Sequence, residues 1–149
     1  MTDLVDIVLK SEVNVEQLAD PRLLRSAAEE IGAVATEQGA TYLLAASPEA
    51  ERLVGAALVC SPHLRALSRR LAVGVGNEIV LVVDVNLASG TSLARAAKRA
   101  RRSGAAQVTG AVLHAFDGSV GAGECQLDGL AVIDRQTRSI VGSRGSVVG

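Results

Sequence analysis

Aromatic residues are nearly missing from this chain: there is no tryptophan, and Tyr42 and Phe116 are the only tyrosine and phenylalanine. Single strands of nucleic acid are gripped by stacking bases on aromatic rings, so that mode of binding has no platform here. Charge of one sign is also lacking. The 15 basic and 16 acidic residues leave a formal charge of −1, which provides no overall field to attract a polyanion, and the composition argues against a nucleic-acid partner. No uncharged apolar run reaches about 18 residues, so no segment reads as a membrane-spanning helix and no membrane partner is expected. The opening MTDLVDIVLKSE carries early acids and no basic leader, which reads as a cytoplasmic protein. Cys60 and Cys125 are the only cysteines and, like His63 and His114, show no ligand spacing, so reduced thiols and no metal centre are expected.

What remains is small and aliphatic. Hydrophobic residues make up 48% of the 149, almost all of them Ala, Val, Leu and Ile, which suits close packing of helices on a sheet. The length fits one domain spanning residues 1–149. Its centre of organisation is Ile79–Leu93, IVLVVDVNLASGTSL. Ile79–Val83 has no polar alternation, as in a parallel strand covered on both faces. Asp84 follows at the carboxyl end, where open α/β sheets hold their ligands. Ala88, Ser89, Gly90, Thr91 and Ser92 then supply hydroxyls, a residue free to take positive φ, and the backbone N–H groups of a helix start, an arrangement suited to an anion. Without a ligand, the same turn is an N-cap.

An apolar strand, an acid, a small segment and Ser-Gly-Thr-Ser running into a helix together resemble the phosphoribosyl pyrophosphate (PRPP) motif of the type I phosphoribosyltransferases. The alternating strand and helix units predict an α/β fold with a mainly parallel sheet of about four or five strands flanked by helices and a short C-terminal hairpin, and the resemblance makes this a phosphoribosyltransferase-like core with a reduced hood. The resemblance implies that Asp84 is the catalytic residue, orienting the ribose, while Ala88–Ser92 cradle the 5-phosphate. It further implies PRPP or a nucleoside monophosphate as ligand, magnesium carried by the diphosphate, transfer of a phosphoribosyl group to a nitrogenous base if the protein is an enzyme, and a homodimer. The family's second acid is replaced by Val85, so an acid restored there is expected to strengthen PRPP binding. In the family's pyrophosphate loop, glycines flank an acid; Ser47 and Arg52 align with those glycines and Glu49 with the acid. Glu49 and Glu51 also read simply as first-turn carboxylates of a helix.

Around this motif, Asp20-Pro21 opens a helix over Pro21–Gln38, with Leu23, Ala27, Ile31 and Ala35 on its apolar face and Gly39 as its end. Residues 1–19 read as a short helix or arm. Thr41–Ala45 is a strand, followed by a loop and a helical run Leu53–Val59. Residues 59–78 hold Arg65, Arg69 and Arg70 but no lysine, which resembles an abbreviated lid. Leu93, Ala96, Ala97 and Ala100 form a buried stripe opposite Arg95, Lys98, Arg99 and Arg102. That basic stripe reads as a solvated face, or as a contact for an acidic partner or RNA. Val108–Leu113 is a further strand with Phe116 at its end, either stacking on a base or plugging the core edge. Gly118–Gly123 reads as a mobile link, Leu127–Ile133 and Arg138–Val141 as an antiparallel hairpin, and the tail as frayed or used at an interface. The altered first loop, Val85 and the short lid favour a second reading, a non-catalytic nucleotide or PRPP sensor, or a self-assembling interaction module.

Overall fold

A computed structural model describes residues 18–67, 75–116, 121–133, 138–142 and 147–148. Asp20 accepts from the backbone N–H groups of Arg22 at 2.9 Å and Leu23 at 3.4 Å, and Pro21 fills the first helical position, where no N–H is missed. These local forces start α1, Pro21–Gln38, and Gly39 ends it in the left-handed region at φ 72°. The chain continues through β1 (Tyr42–Ala45), α2 (Pro48–Cys60), β2 (Arg65–Leu67), β3 (Ile79–Leu87), α3 (Thr91–Arg102), β4 (Gln107–Ala115), β5 (Gly129–Ile133), β6 (Arg138–Gly142) and β7 (Val147–Val148).

The strands form one sheet in the order β2-β1-β3-β4-β5-β6-β7. The first five run parallel, and β6 and β7 extend the sheet antiparallel. This is the α/β architecture expected from the sequence. Alternation along β3 divides the core in two. Leu81, Val83 and Val85 join Ile31, Val34, Leu53 and Ala57 on the face covered by α1 and α2. Val80 and Val82 join Leu93, Ala96, Ala97 and Ala100 of α3 on the other. The alanines let the helices approach the sheet closely.

Several boundaries move. Leu23 is 43% exposed, while Ala28 and Val34 are buried in its place. Strict four-residue spacing turns about 40° per step around a helix of 3.6 residues per turn, so it drifts off one face. The first α2 turn lies at Pro48 rather than Leu53, because Ser47 caps it and Pro48 stands at its first position. β3 does not stop at Val83: its ladder with β4 continues to Leu87↔Ala115. The hairpin strands pair as expected, but the tail contributes β7, paired through Ile140↔Val148. Residues 1–17, Arg69, Arg70 and the first half of the Gly118–Gly123 link, 118–120, lie outside the described residues. Among the described residues, no helix is long and apolar enough to cross a membrane.

Candidate functional site

In the order 2-1-3-4-5 the chain turns outward from β1 to β2 and then crosses to β3 on the other side. The crevice at the carboxyl ends of β1 and β3 is therefore the topological switch point, where doubly wound sheets hold ligands. The β1–β3 ladder ends at Ala45↔Val83, closed by the Ala46 N–H donating to the Val83 carbonyl at 2.8 Å. Asp84 is thus the first β3 residue beyond β1, although β4 still pairs with it through Val112. The strand is longer than expected, yet the acid remains on the rim that matters.

Asp84 is 7% exposed, and its carboxylate is held in place. Oδ1 accepts from the Ser47 hydroxyl at 2.7 Å and from the Val85 N–H at 2.8 Å. The same Ser47 Oγ accepts from the Ala50 N–H at 3.2 Å, capping α2. One hydroxyl therefore ties the start of α2 to the acid of β3. Ser47 and Asp84, expected to hold different parts of a ligand, are directly bonded to each other.

The second turn of the crevice is built differently. Gly90 stands at the N-cap of α3 with φ 78° and ψ 6°, and no side chain caps the helix. Ser89 Oγ lies 3.1 Å from Thr91 Oγ1, and the Thr91 N–H donates to it at a long 3.4 Å. Gly90 is buried, whereas Ala88, Ser89, Thr91 and Ser92 are exposed. The first turn of α3 contains no acid and its last turn holds Arg99, Arg101 and Arg102, so its charges follow the helix dipole. An uncapped helix start with three hydroxyl side chains beside it can receive an anion.

Glu49 and Arg52 do not lie on a loop; both are exposed on the first turns of α2. Arg52 Nη1 reaches back to the Leu18 carbonyl at 3.5 Å, tying α2 to the residues before α1. Glu49 and Glu51 stand as first-turn carboxylates, the plainer of their two readings. Phe116 receives a strand-like bond to β3, its N–H donating to the Leu87 carbonyl at 2.9 Å. Phe116 is 5% exposed, and its ring meets His114 edge-on, with centroids 5.2 Å apart. In this position it fills the core edge, and a base reaches it only if the ring turns outward. Val85 faces the apolar cluster beneath α1 and α2 and is 3% exposed, so an acid at that position points into the core and away from the crevice. No group of three side chains suited to a metal is present among the described residues.

The sequence did contain the signal for the Ser47 cap. Ser-Pro is a strong helix start, and it marks α2 more directly than any loop alignment does. Compared with known proteins, the chain matches no protein-family model and no curated sequence.

Proposed function

We propose that this chain binds a 5-phosphorylated ribose, as PRPP or as a 5-phosphoribosyl nucleotide, in the crevice between β1 and β3. The observation that carries the reading is the pairing, on one rim, of a fixed buried carboxylate at Asp84 with the uncapped, hydroxyl-lined start of α3. A carboxylate accepts from ribose hydroxyls, and a helix start with free dipole favours phosphate. Ala88–Ser92 take the phosphate and Asp84 orients the sugar. If the chain is a transferase, Asp84 also offsets positive charge developing at the anomeric carbon as the bond to diphosphate breaks and the bond to the base nitrogen forms. Magnesium would then arrive with the diphosphate and shield its charge.

A second reading, a sensor that binds without turnover, is favoured by α2. Its first turn carries Glu49 and Glu51 where a catalytic site would need donors for a leaving diphosphate. Thermal unfolding with ribose 5-phosphate, nucleoside monophosphates, and PRPP with magnesium tests binding. A ligand at 100 times its dissociation constant adds about 2.7 kcal/mol, a shift of several degrees for a domain of this size. Ser92→Ala should reduce the shift. No shift with any of these ligands rejects the reading. Release of pyrophosphate from PRPP in the presence of a base separates the enzyme from the sensor.

A further inference from the structure

Resting on that reading, we infer that the crevice selects a ligand with a single phosphate, ribose 5-phosphate or a nucleoside 5′-monophosphate, over one carrying a second anionic group, PRPP. Two strand-to-helix turns flank the switch point, β1 to α2 and β3 to α3. A ribose whose 5-phosphate sits at the start of α3 and whose hydroxyls meet Asp84 lies against the other turn, because Ser47, the cap of α2, is bonded to that same carboxylate at 2.7 Å.

Four features set that turn against an anion, two of them resting on the Ser47 hydroxyl. Pro48 occupies the first helical position and has no N–H to give. The Ala50 N–H is already bonded to Ser47 Oγ. The Ser47 hydroxyl has a single hydrogen, which it donates to Asp84. Glu49 and Glu51 then set two carboxylates in the first turn, cancelling the positive end of the dipole and repelling a diphosphate. The α3 turn differs from it: a glycine cap with no side-chain cap bond, no first-turn acid, and only a long 3.4 Å bond from the Thr91 N–H to Ser89 Oγ. The asymmetry therefore discriminates by the number of anionic groups on the ligand. Neutral or uncharged anomeric substituents, such as the base of a nucleotide, meet no such repulsion.

The test is calorimetric titration of the full chain with ribose 5-phosphate, a nucleoside 5′-monophosphate, and PRPP, each with and without magnesium. The expected result is monophosphate binding unaffected by magnesium, with PRPP binding severalfold more weakly than ribose 5-phosphate. PRPP binding as tightly as ribose 5-phosphate, or more tightly, overturns this inference and leaves the binding of 5-phosphorylated ribose standing. Binding of none of the ligands rejects both. The double variant Glu49→Gln, Glu51→Gln lies on the exposed surface of α2 and should raise the affinity for PRPP relative to ribose 5-phosphate severalfold at low salt. An unchanged ratio in the folded double variant also overturns the inference.

Discussion

The Ser47 hydroxyl donates to Oδ1 of Asp84 across 2.7 Å, joining two residues 37 positions apart. One atom thereby serves two structures, since Ser47 Oγ also accepts the Ala50 N–H that begins α2. The helix start and the acid of the crevice are mechanically one unit, and a change in either is transmitted to the other.

Ser47→Ala removes both bonds. We expect a loss of about 1–3 kcal/mol in urea unfolding, combining a lost cap with a lost hydrogen bond to a charged group. Ser47→Thr, which keeps the hydroxyl, should restore most of it. In a double-mutant cycle with Asp84→Ala the coupling should exceed about 0.5 kcal/mol. Strictly additive effects would show that the contact carries no energy.

Val85→Asp should unfold the protein before it improves any ligand site. The side chain packs among Leu81, Val83 and the residues of α1 and α2, so a carboxylate there has no charge partner in the cluster. An uncompensated buried charge costs several kcal/mol. Burial raises the pKa of such a carboxylate, so the defect should shrink as pH falls and the group is protonated. A variant as stable as the parent at neutral pH would place residue 85 on the solvent side.

Gly90→Ala should destabilise the start of α3 by about 1 kcal/mol or more, because φ 78° suits a residue without Cβ. Gly90→Asn should cost less, since asparagine tolerates the left-handed region. Equal unfolding midpoints for the parent and Gly90→Ala would contradict the backbone geometry given for this turn.

The two free cysteines should differ in reactivity. Cys60 is half-buried and Cys125 is buried. The Cys125 thiol is pushed above its ordinary value of 9.0 by burial, and secondarily by the charge of Glu124. Iodoacetamide at pH 8 should label Cys60 first, and Cys125 only after unfolding, as read by intact mass. Because the folded pKa is the higher one, the stabilising contribution is present in full below pH 9.0 and is lost as pH rises through the folded value. Cys125→Ser should flatten this alkaline loss.

Local chemistry was legible in the sequence and remote partners were not. Asp20, Pro21 and Gly39 set both ends of α1 because each acts within a few residues of itself. The stripe Leu93, Ala96, Ala97 and Ala100 was equally plain, for its spacing follows the true helical period. The end of β3 was hidden, since its last residues remain strand only by pairing with His114 and Ala115 of β4. β7, two residues long, has no pattern of its own and exists through Ile140 and Val141. In the crevice, Asp84 and the Ser89–Ser92 turn were visible as a strand end and a helix start. The bond from Ser47 was not, because only the parallel alignment of β1 with β3 brings residues 47 and 84 together.

The near absence of aromatic rings has an optical consequence fixed by where β1 begins. Tyr42 is the only intrinsic fluorophore of strength, half-buried against the cluster under α3 at the amino end of β1. Three residue steps along the strand, about 10 Å at about 3.3 Å each, separate it from Ala45 at the rim of the crevice. Its emission follows the integrity of the sheet, at the end of the strand away from the crevice. Ligand binding is therefore best read by heat or by melting temperature, and a tyrosine signal that changes on titration with ribose 5-phosphate, which absorbs none of the exciting light, reports the sheet itself rearranging.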